Sequence, residues 1–236
     1  MQLPFKIECH RPFLIATFPQ PNSMLSWAII RPGYQTASRV VWMEVQNKDL
    51  PEHLDATQLI ETRLEAADLS NAVGLITSRD ICQHHIAQTT IEDVVATCLT
   101  TIGLSNGERV GMRSTTPVPL PGTINTLVHV SLPLTQSALL ETMSVITQAR
   151  TTAIIDSGVR RDGVAITGTG TDCVVVAAPI GETSHRYAGL HTAIGEAVGN
   201  CTYRAIADGI QTWMIDFKAL QTSALIGRQA KPDGTA

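Results

Sequence analysis

Apolar runs and helix-like spacings alternate along the chain. Short apolar runs predict strands, and they lie at 13–18, 24–30, 37–45, 72–77, 93–104, 123–131 and 173–179. Apolar residues three or four positions apart predict helices at 52–68, 134–150 and 189–214. Thr135 stands at the N-cap position of the second helix. The polar, proline-rich stretch 105–121 predicts a long surface loop.

The strand runs are apolar at most positions rather than at every second one, which is typical of sheets covered by helices. Gly195 and Gly199 lie four apart in the last predicted helix and indicate close packing against a neighbour. We therefore expect a mixed α/β fold of one domain over residues 1–224, with helices covering stacked sheets. An α-β-β-α sandwich is one arrangement of this kind. A frayed tail is expected at 225–236.

Composition and charge exclude several classes of protein. The 236 residues are 44% hydrophobic and 16% charged, as in a compact globular protein. The net charge of −4 and the scattered Lys and Arg residues argue against a nucleic-acid partner. The chain shows no signal-peptide pattern at its start and no apolar run near the ~20 residues that span a membrane. Five cysteines without a CxxC pair predict reduced thiols and a cytoplasmic protein.

The seven histidines do not form a metal-site pattern. The side chains of the adjacent pair His84-His85 point to different faces of a strand or helix, so the pair is a poor chelate. No histidine matches HExxH or a Cys/His zinc spacing. We expect no metal site.

Two polar clusters stand directly before apolar strands. Thr123 and Asn125 follow Gly122 at the start of strand 123–131, and "TGTGTD" at 167–172 precedes strand 173–179. Taken singly, these residues are typical of tight turns. Glycine- and threonine-rich turns also bind phosphate, but this one precedes a strand and no GK[ST] follows. Their parallel placement suggests instead that the two clusters form one site.

Five motifs occur in an order that resembles the CbiZ family, the adenosylcobinamide amidohydrolases of corrinoid salvage. They are "VGLITSRD" (73–80), "TTIGLSNGERVG" (100–111), "GTINTLVHVSLPLTQSALLETMSVITQART" (122–151), "TGTGTDCVVVAAP" (167–179) and "YAGLHTAIGEAVG" (187–199). The resemblance covers roughly residues 24–210 and is strongest after residue 98. It departs at Arg31-Pro32-Gly33-Tyr34, where the family usually has a glycine-rich stretch, and at Arg150, where the family favours lysine.

The resemblance implies hydrolysis of the amide that joins aminopropanol to a corrin side chain, giving adenosylcobyric acid. It implies a corrinoid small-molecule partner and no cofactor of the protein's own, because cobalt arrives within the substrate. No nucleic acid or membrane partner is expected, and the oligomeric state is left open, a homo-oligomer included. If the family uses a titratable amine at position 150, arginine cannot replace it, because a guanidinium stays charged at any working pH.

A more distant similarity to ornithine acetyltransferases and DmpA-type aminopeptidases bears on the nucleophile. In those families the chain cuts itself before a Thr or Ser that opens an apolar strand, and the freed α-amine acts as the base. Gly122-Thr123 and Pro133 keep that order and spacing here. The similarity implies Thr123 as nucleophile, with Thr169, Thr171 and Asp172 orienting it and holding its amine. Asn106 or Asn125 would donate to the oxyanion.

Further residues of the motifs are candidates for substrate binding: Asn106, Gly122, Gly168, Gly170, His191 and Thr192. Three alternatives stay open. The chain could remain intact, with Asp172 acting as the base on a water. It could be a DmpA-like peptidase or acyltransferase with an N-terminal threonine. It could also be an inactive corrinoid-binding protein, with Arg31 and Arg150 among the changes.

Overall fold

The computed structural model describes residues 2–46, 55–113 and 122–229, with side chains described as far as residue 219. The helices are α1 (Ala56–Ala66), α2 (Gln136–Asp156) and α3 (Ala193–Gln229). The strands are β1 (Lys6–His10), β2 (Phe13–Ser26), β3 (Gly33–Glu44), β4 (Val73–Thr77), β5 (His84–Ile91), β6 (Val94–Ile102), β7 (Gly107–Glu108), β8 (Ile124–Val130), β9 (Arg160–Arg161), β10 (Val164–Ala165), β11 (Gly168–Thr169) and β12 (Cys173–Pro179).

The described strands build one large mixed sheet and two short pairs. The large sheet has eight strands in the order β4-β3-β2-β12-β8-β6-β5, with β1 paired to β2. β8 runs parallel to β12, and β3 runs parallel to β4, whereas the other neighbours in the sheet are antiparallel. The short pairs are β9–β10 and β7–β11. Both strands that carry the polar clusters therefore lie in the interior of the sheet.

The large sheet folds over on itself and supplies two layers. The register between β2 and β3 shifts between Thr17 and Asn22, so that the first part of β2 pairs with β1 and the second part with β12. In the inner core, Leu14 of β2 and Trp42 of β3 belong to the same hydrophobic cluster as Leu127 of β8. Between Thr17 and Asn22, β2 advances five positions while β3 advances two, and extra residues in one strand bend it and increase its twist.

Helices cover both outer faces of this double layer. Ile60 and Leu64 of α1 pack against Val41 and Met43 of β3. On the opposite side, α2 and α3 pack against β6, β8 and β12. The expected mixed α/β fold with helices over stacked sheets is confirmed, and the layers follow the order α-β-β-α. The new feature is that one continuous sheet provides both inner layers.

Several predicted elements need correction. The expected strands at 13–18 and 24–30 are one strand, β2, and the predicted loop 105–121 contains β7, while residues 114–121 lie outside the described part. The strands β1 and β5 were not predicted. The helix expected at 52–68 is α1, with Asp55 as its N-cap, and residues 52–54 also lie outside the described part.

The ends of the two long helices also differ from the sequence prediction. Thr135 is confirmed as the N-cap of α2, but the helix continues to Asp156, so Arg150 lies within it rather than at its end. The last helix begins at Ala193 and not at 189. The close packing predicted at Gly195 is confirmed, since a Cβ there would lie 2.2 Å from the Gly189 carbonyl oxygen. At Gly199 a Cβ would meet only an ordinary contact at 3.7 Å.

Candidate active site

The parallel pairing of β8 and β12 places both polar clusters at the same end of the sheet. Asn125 lies opposite Cys173 in this register, so the residues just before each strand are neighbours. Gly122-Thr123 therefore lies beside Thr171-Asp172, about 49 positions later in the sequence. The sequence prediction that the two clusters share one location agrees with this geometry.

Polar groups of the 167–172 turn converge on the peptide unit between Gly122 and Thr123. The Thr123 hydroxyl donates to the Thr171 carbonyl oxygen at 2.8 Å. In return, the Thr171 hydroxyl donates to the Gly122 carbonyl oxygen at 3.1 Å. The next amide, that of Ile124, donates to Asp172 Oδ1 at 3.0 Å. The turn thus binds both the Gly122 carbonyl oxygen and the Thr123 hydroxyl, the groups on either side of this peptide bond.

The Asp172 carboxylate is fixed by several donors. Thr169 donates to it twice, from its hydroxyl to Oδ1 at 2.5 Å and from its amide to Oδ2 at 2.9 Å. Arg150 Nη1 lies 3.4 Å from Oδ2, and the two charged side chains are 10% and 6% exposed. With the Ile124 amide added, most of the acceptor capacity of the carboxylate is used. This leaves Asp172 better suited to positioning the turn than to activating a water.

Arg150 of α2 balances the buried charge of Asp172. The side chain crosses from the helix layer to the sheet end, and within the described part of the chain its Nε and Nη1 atoms make no hydrogen bond. Its contribution is therefore mainly the charge that it places beside the carboxylate. A buried carboxylate without such a partner would carry a large desolvation cost.

Glycines make the close approach possible at two positions of the site. A Cβ on Gly122 would lie 2.7 Å from Asn106 Oδ1 and 2.8 Å from the Gly103 carbonyl oxygen. A Cβ on Gly168 would lie 2.6 Å from Asp172 Oδ2. Gly170 is different, because a Cβ there would meet no atom within 4 Å. Gly122 and Gly168 are thus required by packing, and Gly170 lies on the open side of the turn.

The two asparagines proposed for the oxyanion have different environments. Asn125 is 1% exposed, and its Nδ2 donates to the Ile76 carbonyl oxygen at 2.5 Å, which ties β8 to β4. Asn106 lies beside Gly122, and its buried Oδ1 has no hydrogen-bond partner among the described residues. Asn106 is therefore the nearer of the two to Gly122, although the atom that faces this residue is the acceptor Oδ1 and not the donor Nδ2.

The structure separates His191 and Thr192 from this cluster. Thr192 caps α3, with its hydroxyl accepting from the Gly195 amide at 2.9 Å. It lines a cavity together with Val94 and Leu132, which lie at the opposite ends of β6 and β8 from Thr123. A strand as long as β8 spans roughly 20 Å. Neither residue contributes to the arrangement around Thr123.

One neighbour of the turn was not singled out in the sequence. Trp27 donates from its indole Nε1 to the Asp172 carbonyl oxygen at 2.7 Å, and its side chain is 46% exposed. In the sequence it is one apolar residue in a run assigned to a strand, and that pattern carries no sign of its contact with residue 172.

Thr123 itself is 5% exposed in the intact chain. The residues described contain no group of three or more His, Cys, Asp or Glu side chains arranged to hold a metal ion. Over the same residues, no helix combines the length and the apolar character needed to cross a membrane.

Solved structures resemble the chain only weakly. The PH0078 protein from Pyrococcus horikoshii OT3 has 11% sequence identity and a TM-score of 0.46, covering 89% of this chain and 80% of that protein. The L-aminopeptidase D-Ala-esterase/amidase from Ochrobactrum anthropi, described as a variant of the Ntn hydrolase fold, has 11% identity and a TM-score of 0.41, covering 87% and 82%. No curated protein sequence matches the chain significantly.

The family is shown by sequence. The family model described as "CbiZ: Adenosylcobinamide amidohydrolase" matches residues 2–216, which include the whole cluster around Thr123 and all but the end of α3. The chain therefore belongs to the CbiZ family of amidohydrolases.

Proposed function

We propose that the chain hydrolyses the amide between aminopropanol and the corrin side chain of adenosylcobinamide, and that it yields adenosylcobyric acid. Membership of the CbiZ family supports the substrate. The observation that carries the mechanism is the convergence of Thr171 and Asp172 on the Gly122–Thr123 peptide unit. In this proposal the threonine hydroxyl of that unit is the nucleophile.

The nucleophile is first released by self-cleavage. Thr123 Oγ1 attacks the Gly122 carbonyl carbon, its proton passes to the departing amide nitrogen, and an ester links the two residues. Water then hydrolyses the ester, leaving a Gly122 carboxylate and a free α-amine on Thr123. The Thr171 hydroxyl already donates to the Gly122 carbonyl oxygen, which is the atom that gains negative charge in this step.

In turnover, the freed α-amine acts as the base for the hydroxyl beside it. An α-amine has an ordinary pKa near 7.7–8, which suits a general base at neutral pH. It takes the proton of the Thr123 hydroxyl as the oxygen attacks the substrate amide, and it returns a proton to the departing aminopropanol. Water then releases adenosylcobyric acid from the enzyme ester. Apart from water, the steps use only groups of the chain, and cobalt enters only within the substrate.

The burial of Thr123 supports activation by cleavage. The side chain is 5% exposed, and Gly122 is enclosed by Asn106, Gly103 and Ser105. An external amide cannot reach the hydroxyl while Gly122 occupies this place. The Gly122 carbonyl occupies the position that the substrate carbonyl would take once cleavage has released the Gly122 carboxylate and it has moved away. The Thr171 hydroxyl then serves as a donor to the substrate oxyanion, and Asn106 adds a second donor once its side-chain amide turns to present Nδ2.

Incubation of the purified protein with adenosylcobinamide tests the function. Separation of the corrinoids by charge should show a new acidic product, because hydrolysis creates a carboxylate. Folded protein that yields no acidic corrinoid contradicts the proposal. Corrinoid binding without turnover would indicate an inactive binding protein, and turnover of small amino-acid amides alone would indicate a peptidase.

Intact-mass spectrometry tests the mechanism separately. Active protein should consist of two fragments, residues 1–122 and 123–236. A single uncut chain with full activity would exclude the α-amine base, and Asp172 acting on a water would then be the leading mechanism.

A further inference from the structure

Trp27 is the exposed tryptophan of this chain. Of the three tryptophans, Trp42 is 0% exposed and Trp213 is 7% exposed, whereas Trp27 is 46% exposed. Its indole Nε1 donates to the Asp172 carbonyl oxygen at 2.7 Å, within the turn that holds Thr123. A large apolar ring is thus presented to solvent beside the proposed catalytic groups.

Neighbouring contacts hold the Trp27 ring in place. The Ser26 hydroxyl donates to the Val174 carbonyl oxygen at 2.9 Å and accepts from the Ala28 amide at 2.9 Å. Residues 26–28 are therefore tied to the start of β12, and the indole nitrogen adds a further attachment. A ring that is already ordered loses little conformational entropy when a ligand stacks on it.

We propose that Trp27 is a substrate-binding residue whose exposed indole face stacks against a planar conjugated group of the corrinoid. The inference rests on the proposed function. Adenosylcobinamide offers two such groups, the corrin ring and the adenine, and an indole stacks on either. The polar groups around Thr123 can recognise an amide, but they offer no large apolar surface. Trp27 supplies one within reach of the same turn.

The test compares Trp27→Ala and Trp27→Phe in cleaved protein. Stacking on an aromatic residue strengthens binding about 5- to 150-fold. The alanine variant should therefore raise KM roughly 5-fold or more while kcat falls by less than about threefold, and phenylalanine should restore most of the affinity. Tyr187→Ala is the matched control, because Tyr187 is 65% exposed at the opposite end of the strands. It should leave KM unchanged.

The outcomes separate this inference from the proposed function. An unchanged KM in Trp27→Ala overturns the inference, as does a phenylalanine variant that is as impaired as alanine. Failure of the wild type to turn over corrinoid would overturn the function, and direct titration of corrinoid into wild type and Trp27→Ala would still test the contact. Repeating the comparison of wild type and Trp27→Ala with a cyano-liganded cobinamide distinguishes the corrin ring from the adenine, because the cyano form has no adenosyl ligand. A KM or Kd penalty that persists there identifies the corrin ring, and one that disappears identifies the adenine.

A second, independent feature is a close pair of thiols on the other side of the molecule. Cys9 of β1 and Cys82, between β4 and β5, have their sulfur atoms 3.2 Å apart. Cys82 is exposed and Cys9 is half-buried, whereas the other three cysteines are buried. A disulfide requires the sulfurs to approach to about 2.05 Å, a movement of roughly 1 Å.

We infer that Cys9 and Cys82 form a disulfide by exchange with a small disulfide such as oxidised glutathione. The exposed Cys82 thiolate attacks first, forming a mixed disulfide and releasing one thiol. Cys9 then displaces the second thiol, so that two cysteines are oxidised and one small disulfide is reduced. Burial first, and then the contact with Cys82, raises the pKa of Cys9 to about 11, which favours Cys82 as the attacking group.

Mass spectrometry after treatment with oxidised glutathione tests this pair. The protein should lose about 2 Da, a peptide map should link residue 9 to residue 82, and the Tm should rise because the bond closes a long loop. Cys9→Ser should instead keep one glutathione adduct. Cys98→Ser, which changes a buried cysteine, should behave as the wild type. An unchanged mass, or a wild type that keeps the adduct, overturns the inference.

Discussion

The two ends of β8 and β12 use the same kinds of residue in different ways. At the far end, near the start of α3, the Thr192 hydroxyl accepts from the Gly195 amide at 2.9 Å, and Glu141 accepts from the Ala188 amide at 2.7 Å. Each polar group there satisfies one backbone donor in a separate turn. Thr192 is an ordinary N-cap, and Glu141 joins α2 to the loop before α3; both contacts stabilise local structure.

At the Thr123 end, hydroxyls and a carboxylate converge on one peptide unit. Thr171 bonds both sides of the Gly122–Thr123 linkage, and Asp172 holds the following amide while paired with a buried arginine. The comparison teaches that threonine, glycine and a carboxylate do not by themselves mark a site. Their convergence on one bond, and the burial of an ion pair beside it, separate this end from the other.

Replacement of the hydroxyl at each end should give the largest contrast. Thr123→Ala removes the proposed nucleophile, so we expect one uncut chain and a loss of activity of at least about 1,000-fold. Thr123→Ser should keep part of both functions, because it retains the hydroxyl. Thr192→Ala removes only a helix cap and should keep cleavage and kcat, with about 1 kcal/mol less stability. Corrinoid assays and intact masses measure all three, and cleavage in Thr123→Ala would refute the assignment.

Neutralising the carboxylate at each end should separate a buried ion pair from a single hydrogen bond of an exposed residue. Asp172→Asn leaves Arg150 buried without its partner, at a cost of about 3–5 kcal/mol of unfolding free energy. Glu141→Gln should cost about 1 kcal/mol or less, because residue 141 is exposed. Urea denaturation measures both. Equal losses of unfolding free energy would show that the Arg150–Asp172 pair contributes no more than the hydrogen bond of the exposed Glu141.

The sequence predicted the layers and the meeting of the two clusters for physical reasons. Apolar runs without alternation require cover on both faces, and the strands that begin after the clusters pair in parallel, which aligns their starts. The strands β1 and β5 were missed because they lie away from the centre of the sheet. Strands in such positions are only partly buried and carry more polar residues.

The rest of the site depended on tertiary contacts that no local pattern encodes. Trp27 belongs to an apolar run, and only the pairing of β2 with β12 brings its indole nitrogen to residue 172. Arg150 was assigned to the end of a helix, whereas α2 continues and directs it at Asp172. The start of α3 was set too early because Leu190 fits the helical spacing, although it is 64% exposed and precedes the Thr192 cap.

Adding one methyl group to two glycines of the site should sharpen the contrast within it. In Gly122→Ala the new Cβ would press on Asn106 and on backbone atoms of residues 103 and 105 at 2.7–2.9 Å. We expect a loss of about 1–3 kcal/mol of stability and cleavage slowed at least about 10-fold. Any cleaved fraction should show nearly normal kcat, because residue 122 has left the site.

Gly170→Ala is the matched control, since its Cβ meets nothing within 4 Å. It should cleave at the wild-type rate. The time course of fragment appearance during expression measures both variants. Normal cleavage in Gly122→Ala would show that the enclosure of residue 122 does not govern the self-cleavage step.

The last prediction concerns stability alone and rests on His129, which lies on β8 nearer the far end. Burial lowers the pKa of His129 to about 4, whereas an unfolded histidine has a pKa near 6.5. Between these two pH values the unfolded chain binds a proton at His129 and the folded chain does not. The free energy of unfolding is therefore unaffected by this group above about pH 6.5 and falls as the pH drops towards 4. The expected loss between pH 7 and pH 5 is about 2 kcal/mol.

Urea denaturation at pH 7 and pH 5 measures this loss, and His129→Gln should reduce the difference between the two pH values. His85→Gln is the comparison variant, because burial also lowers the pKa of His85 and its removal should change the slope less. The cleavage state of the protein should not alter the His129 effect, since the group lies within the strand and not in the Thr123 cluster. An equal pH dependence in wild type and His129→Gln would contradict the assignment of the acid loss to His129.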